Sequence, residues 1–358
     1  MAKNIKVDDP RLVWEGAISM EHGEGWIKPW RIPFKDRLLF GKAAIDDMMI
    51  CRAGMPAGVR ISLRSDTRSI EGRIAPIIAN EFNVPETLAA KLDLVCNGML
   101  QSTFGLGEGT DFRFDGLPAG ENVIELWLPE YREFRLQSFA LSDGATLQPH
   151  YDKRPLWLVY GSSYTQSRGA ASPWYTWPAV AARAQNINHT NLAYGGQCHL
   201  DSMVARLLRD MPADFIAFEA GVNIQGRSTL DERSFRAALI GFVRILRERH
   251  PDTPLAVMSA LYAWERETYR NAAKLTLIDT RVIVQEAVEA LRACGDTHVH
   301  YFNGLDFLGE PEKDLVPDHV HPSADGYKVL GRKFADKVIA PLLSRRLSTA
   351  MAASVMRH

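Results

Sequence analysis

The stretch Leu156–Ser167, "LWLVYGSSYTQS", decides how this chain is read. An apolar run, Leu156 to Tyr160, stops at Gly161 and delivers two adjacent serines, Ser162 and Ser163. Five such residues bounded by a glycine have the length of a strand rather than a helix. In an open α/β sheet, ligands sit beyond the carboxyl ends of the strands. If "LWLVY" is such a strand, the serines stand where chemistry is done.

The downstream sequence supports this reading. Beyond "SDGATLQPHYDKRP" (142–155), short apolar runs alternate with longer helical stretches. The expected strands are "LWLVY", "INHTNLAY", "FIAFEA", "PLAVMSAL" and "HVHYFN". Between them lie "PWYTWPAVAARAQ", "DSMVARLLRD", "ERSFRAALIGFVRILRERH" and "YRNAAKLTLIDTRVIVQEAVEALRAC". Phe235, Leu239, Phe242, Val243 and Leu246 recur at helical spacing. A last helix comes after "HPSADGY", with Tyr327, Leu330, Phe334, Val338 and Leu342 in one stripe. Strands alternating with helices are βαβ units, hence a parallel sheet sandwiched by helices.

The first 150 or so residues differ. "GVRISLRSD", "KLDLVCNGML", "FRFDGL", "NVIELWLPE" and "FRLQSFALSD" are short runs broken by Gly, Pro, Asp and Asn. They predict a β-sandwich or jelly roll, with a helix around "VPETLAAKL" (84–92) as an interruption. A chain of 358 residues, 46% hydrophobic, can bury two cores. The expected division is a β-sandwich over 1–150 and an α/β domain over 151–358.

A formal net charge of -1 removes any general pull toward nucleic acid or an anionic membrane. "RILRERH" and "LLSRRL" read as solvated helix faces. "MAKNIKVDDPRLVWEG" has no apolar signal core, and no stretch approaches the ~20 apolar residues of a membrane span. A cytoplasmic location is expected. Cys51, Cys96, Cys198 and Cys294 are scattered without a CxxC pair, which favours free thiols over disulfides or zinc.

The residues just beyond each strand collect the chemistry at one sheet edge. The first strand gives Gly161, Ser162 and Ser163; the second gives Gly195 and Gly196; the third gives Gly221 and Asn223. A late loop, "VPDHVHPSADGY", gives Asp318 and His321. A serine hydroxyl needs a base within hydrogen-bond reach, and the base needs a third group to hold its tautomer. Asp318 and His321 are three residues apart, so one tight turn can bring carboxylate against imidazole. Glycine N–H groups and an asparagine amide are suitable donors to an oxyanion.

"GSSYT", "AYGGQ", "GVN" and "DHVHP" resemble, in order and spacing, the four blocks of the SGNH (GDSL-type) hydrolases. The resemblance covers residues 156 to 330. It implies a three-layer, flavodoxin-like α/β domain with a parallel sheet. The β-rich first part looks like the jelly-roll module that precedes the hydrolase domain in some carbohydrate esterases. By the same resemblance, Ser163 matches the nucleophile, His321 the base and Asp318 its orienting acid. The oxyanion donors are Ser163, Gly196 and Asn223. Gly195 leaves the glycine block open by one position. Two residues depart from the family pattern: Ser162 and Ile224 replace aspartates. The implied activity is hydrolysis of a short acyl ester, an acetyl ester as first choice, through an acyl-enzyme, without a cofactor. An acylated sugar is the expected substrate, with a lipid ester or thioester as the alternative. A non-catalytic carbohydrate-binding protein on a lapsed hydrolase fold is the alternative of another class. The sequence leaves open whether the chain forms a homo-oligomer.

Other residues carry two readings each. Trp174, Arg168 and Gln197 are candidate substrate contacts, although Trp174 at its spacing also suits packing of a helix against the sheet. Cys198 suits a small buried position better than a reactive thiol. Glu219 is either an acid supporting the site or only a strand-end charge. His-x-His occurs at His298/His300 and His319/His321, but no carboxylate or cysteine set completes a metal site.

Overall fold

Leu156–Tyr160 is a strand, and both of its neighbours in the sheet come from later in the chain. The computed structural model describes residues 2–42, 47–76, 90–107 and 110–344. The sheet is ordered Asn188–Asn191, Leu156–Tyr160, Phe215–Ala220, Leu255–Ser259, Val299–Phe302. The pairings Trp157↔Phe215, Ile216↔Leu255 and Leu255↔Val299 are parallel. The first strand in chain order therefore lies between the second and the third. That is a topological switch point, where loops diverge and leave a crevice. Every residue of Phe215–Ala220 and Leu255–Ser259 is buried, as expected of strands covered by helices on both faces.

The helices form where apolar stripes and caps agree. Glu232–Arg247 starts at a capping box, with Asp231 accepting from the Ser234 N–H, and buries Phe235, Leu239, Phe242, Val243 and Leu246. Leu277–Ala293 begins later than the apolar pattern suggests, because Thr276 caps it against Asp279. The preceding Asn271 instead closes a turn with Leu275. Trp177–Ala184 comes after a separate 3-10 turn, Pro173–Tyr175. Ser323 caps Ala324–Phe334, and a π turn, Ala335–Ile339, carries the last stripe onward. Trp157 sits fully buried at the centre, stacked on Phe334 at 5.4 Å and 14°, with Trp177 and Phe215 within 6.0 Å.

The β-rich part consists of two six-stranded sheets, and every pairing described within them is antiparallel. One core joins them: Ile61, Leu94 and Leu126 from one sheet pack with Ile70, Phe112 and Leu136 from the other. The run "KLDLVCNGML" is two strands, Lys91–Cys96 and Met99–Gly105. Asn97 and Gly98, both at positive φ, form the hairpin turn between them. The expected helix at "VPETLAAKL" lies over 84–89 outside the described residues, and from Lys91 onward the chain is strand. Buried Arg60 is neutralised by Glu125 at 2.7 Å and Asp152 at 3.3 Å.

By compactness the chain forms two units. The first is Met1–Lys153 with Ala171–Tyr175 and Thr190–Leu192; the second is Arg154–Ala170, Thr176–His189 and Ala193–His358. Among the described residues no helix is long and apolar enough to cross a membrane. Cys51, Cys96 and Cys198 are buried and Cys294 is exposed, all as free thiols. The α/β core is tested at its centre. Trp157→Ala is expected to cost about 3–5 kcal/mol, measured as a lowered denaturant midpoint with an unchanged slope.

Candidate active site

At the end of Leu156–Tyr160 the chain turns sharply, and Gly161 permits it. A Cβ there would stand 2.3 Å from Thr165 Oγ1 and 2.8 Å from Glu219 Cγ. Ser162 caps the short helix Ser163–Gln166, its Oγ accepting the Tyr164 N–H at 3.1 Å. Ser163 opens that helix, and its Oγ lies 2.8 Å from His321 Nε2. His321 Nδ1 lies 2.7 Å from Asp318 Oδ2. The other Asp318 oxygen accepts the N–H groups of Val320 at 3.0 Å and His321 at 2.5 Å. The tight turn therefore locks the carboxylate at both oxygens.

The electrostatics favour a neutral imidazole. Burial holds the His321 proton affinity below the ordinary histidine value; Asp318 opposes this, and the positive charges of Arg168 and Arg266 add to it. Burial also works against the charge on Asp318. Hydrogen bonds from the His321 main chain and ring outweigh it, so the carboxyl stays below its usual range. With Nδ1–H donated to Asp318, the Nε2 lone pair is left for the Ser163 hydroxyl.

Hydrogen bonds sort the candidate oxyanion donors. Gly195 donates its N–H to Gln166 Oε1 at 2.7 Å, so it is already engaged. Gly196, at φ +75°, accepts at its carbonyl from Gln197 Nε2 at 2.8 Å. Asn223 Oδ1 accepts the Cys198 N–H at 2.9 Å, which orients the amide and leaves Nδ2 to donate. The N–H of Ser163, the N–H of Gly196 and Asn223 Nδ2 have no partner among the described residues.

Glu219 supports this arrangement. Its Oε1 accepts the Ser162 N–H at 2.9 Å, and its carbonyl accepts the Cys198 thiol at 3.1 Å. Its other oxygen, Oε2, is buried without a hydrogen-bond partner among the described residues. Burial raises its carboxyl from the ordinary 4.5 to about 7, although hydrogen bonds from Ser162 pull the other way. Ile224, at the second departure from the family pattern, is fully buried. Cys198 is also buried, and desolvation lifts its thiol well above the usual range, as suits a packing role.

The expected substrate contacts separate. Trp174 is corrected: its ring is buried edge-on against Trp127 at 5.4 Å and 88°, and Asp93 holds its N–H at 2.7 Å. The ring is a packing element. The Gln197 amide is turned back onto its own loop. Arg168 is exposed, and its main-chain N–H is bonded to the Ser163 carbonyl at 3.0 Å. Of the histidine pairs, His319 stacks on Trp264 and faces Glu265 at 3.2 Å, while His298 lies 3.8 Å from Asp252. Among the described residues no group of three or more His, Cys, Asp and Glu is placed to hold a metal ion. A cavity of about 290 Å³ has Tyr262, Trp264, Lys313 and His319 among its walls. Gln166 and Arg266 carry no motif, and sequence reasoning missed both.

A parallel sheet with a strand-end serine, a half-buried histidine and a locked aspartate is the arrangement expected of a serine acylhydrolase, and the comparisons place the chain in such a family. Residues 154–340 match the GDSL-like lipase/acylhydrolase family, and the chain belongs to it. Residues 12–137 match the family of the SsfX3 N-terminal domain. The chain is similar to the salicylyl-acyltransferase SsfX3 from a tetracycline biosynthetic pathway: 34% identity over 98% of both chains, TM-score 0.83. It shares its fold with a putative GDSL-like lipase from Bacteroides ovatus (22% identity, 96% of this chain and 98% of that one, TM-score 0.74). A family two carbohydrate esterase from Clostridium thermocellum, in complex with cellohexaose, has the same fold (15% identity, 80% and 94%, TM-score 0.59). No curated protein matches the chain.

Glu219 yields a pH test. It holds its proton more tightly folded than unfolded, so its contribution to stability is lost as pH rises from about 4.5 through about 7. Glu219→Gln keeps a neutral group there. Its unfolding free energy is expected to gain on wild type across that window, measured by urea titrations at successive pH values.

Proposed function

We propose that this chain transfers a short acyl group from an ester through a covalent intermediate on Ser163. The observation that carries the reading is the continuous Ser163–His321–Asp318 hydrogen-bond relay, 2.8 Å and then 2.7 Å. Ser163 Oγ attacks the ester carbonyl while His321 Nε2 takes its proton, and Asp318 holds the resulting imidazolium. The N–H groups of Ser163 and Gly196 and the Asn223 amide receive the oxyanion; each such donor is worth roughly 100- to 1000-fold in rate. Collapse expels the alcohol, which takes the proton from His321. The acceptor then gives its proton to His321 as it attacks the acyl-enzyme, and collapse of the second intermediate breaks the ester bond to Ser163, whose Oγ takes the proton back from His321.

Water is the proposed acceptor, making the protein an ester hydrolase, with an acylated sugar as the proposed substrate. Membership of the acylhydrolase family and the fold shared with carbohydrate esterases support this. The buried ring of Trp174 removes one argument for a sugar. A second reading, transfer to an alcohol other than water, is favoured by the 34% identity with an acyltransferase along the full chain. Both readings share the acyl-enzyme and differ only in which nucleophile enters second. The β-sandwich, proposed as a separate accessory domain over about residues 1–150, is not required by either scheme.

Ser163→Ala is expected to lower p-nitrophenyl acetate turnover by at least about a thousandfold, while Ser162→Ala retains measurable turnover. Equal background rates in wild type and Ser163→Ala would sink the enzyme reading. Added alcohols distinguish the acceptors, because transfer yields new ester and hydrolysis only acid. kcat/KM is expected to rise with pH through a midpoint below 6.5, because His321 loses its proton more readily than an ordinary histidine. A limb near pH 7 that disappears in Glu219→Gln belongs to Glu219 instead.

A further inference from the structure

Two guanidinium groups act on His321 without an acid of their own. Arg168 and Arg266 both disfavour its protonated form. Neither side chain makes a hydrogen bond or ion pair among the described residues. The neighbouring acids are engaged elsewhere: Asp318 with His321, Glu265 with His319 and Glu267 with Arg281.

The place of Arg266 is set by its surroundings. It ends the 3-10 turn Trp264–Arg266. Trp264 stacks on His319 at 5.5 Å and 17°, and Glu265 meets the same ring at 3.2 Å. On the other side, Glu267 takes both terminal nitrogens of buried Arg281 at 2.7 Å and the Ala263 N–H at 3.0 Å. The turn is thus fastened to the Asp318–His321 loop and to the helix Leu277–Ala293. From there the guanidinium lies against Gly226, with one terminal nitrogen 2.6 Å from where a Cβ would stand. Gly226 is three residues beyond Asn223 on the short helix Val222–Arg227 and shares its face. Arg266 therefore runs along the face that bears the candidate oxyanion amide, in space that only a glycine leaves open. Arg168 comes from the nucleophile side. Its N–H is held by the Ser163 carbonyl, and its carbonyl accepts the Tyr327 hydroxyl at 3.0 Å.

Left unneutralised, the two cations oppose the imidazolium that must form on His321 during acyl transfer. An anion seated on them removes that opposition. Guanidinium groups without protein partners suit a carboxylate, which can take parallel N–H donors from one fork.

We propose that Arg266, together with Arg168, binds a carboxylate carried by the ester substrate, so that the site prefers anionic esters to neutral ones. This rests on the acyl-transfer reading and names its substrate class.

The test separates the two. Ser163→Ala protein, which leaves esters intact, is titrated with monomethyl succinate, whose carboxylate is on the acyl side. It is also titrated with acetoxyacetate, whose carboxylate is on the alcohol side. Each is compared with its own methyl ester by ligand-observed NMR. At least one acid is expected to bind about tenfold or more tightly than its neutral partner, the scale of one charge-assisted hydrogen bond. Adding Arg266→Gln is expected to erase most of that preference, Gly226→Ala to weaken it by displacing the guanidinium, and Arg266→Lys to restore part of it. Thermal melts of each variant report folding. Equal binding of acid and ester overturns the proposal. So does a preference that survives Arg266→Gln, or an equal loss for acid and ester, which would make Arg266 a donor to the reacting carbonyl. Binding needs no turnover: an inactive wild type would refute acyl transfer and leave this measurement standing.

Discussion

The parallel pairing of Leu156–Tyr160 with Phe215–Ala220 sets Tyr160 opposite Phe218. At a strand spacing of about 4.8 Å the two chains leave the sheet side by side. One pairing thus delivers the Ser162–Ser163 turn and Glu219 to the same point. From there a run of hydrogen bonds continues. Glu219 accepts the Ser162 N–H and, through its carbonyl, the Cys198 thiol; Cys198 donates its N–H to Asn223. Gln166, on the nucleophile helix, reaches the Gly195 loop. Three strand-end loops are held in register by Glu219, Cys198 and Gln166, together with Asn223, whose amide is the proposed oxyanion donor.

The departure at Ser162 takes its meaning from this arrangement. The family pattern places an aspartate at this turn. Here two residues hold it: the Ser162 hydroxyl accepts the Tyr164 N–H, and the Glu219 carboxyl accepts the Ser162 N–H. The carboxyl stays inside the protein but comes from the neighbouring strand. Deep burial makes its charged form costly, hence the raised proton affinity. At the other departure, Ile224 is buried outright.

Much of the fold could be read from apolar spacing. The stripe Phe235–Leu246 and the strand Phe215–Ala220 stand where the pattern puts them, because burial on one stripe or on both faces leaves a periodic signature. Boundaries set by side-chain caps were less legible. The pattern from Tyr269 onward continues past the point where Thr276 and Asn271 break it. Asn97–Gly98 hides a hairpin inside what reads as one run. The strands Ser19–Gly23 and Trp26–Trp30 are mixed in composition, with Lys28 and Pro29 inside a largely buried stretch. Lys28 is accommodated by Glu133, remote in the chain, at 2.6 Å, and by the Trp30 ring beneath its ammonium at 4.3 Å.

For the site, residue types in order pointed to Ser163, Asn223, Asp318 and His321, and left Gly195 and Gly196 one position apart to choose between. Each such residue lies just past a strand or sits in a short turn, so local sequence carries it. Asp318 and His321 meet because three residues of tight turn bring them together. Tertiary structure alone decided the rest. Trp174 and Arg168 looked equally available in the sequence, yet one ring is packed on Trp127 and the other side chain is exposed. Glu219 could have been any strand-end charge until sheet order set it under Ser162. Arg266 lies more than forty residues from Asn223, and only the packing of its turn beside Gly226 joins them. Local chemistry is written in consecutive residues; which charges remain unpaired beside it depends on contacts between segments that share no spacing.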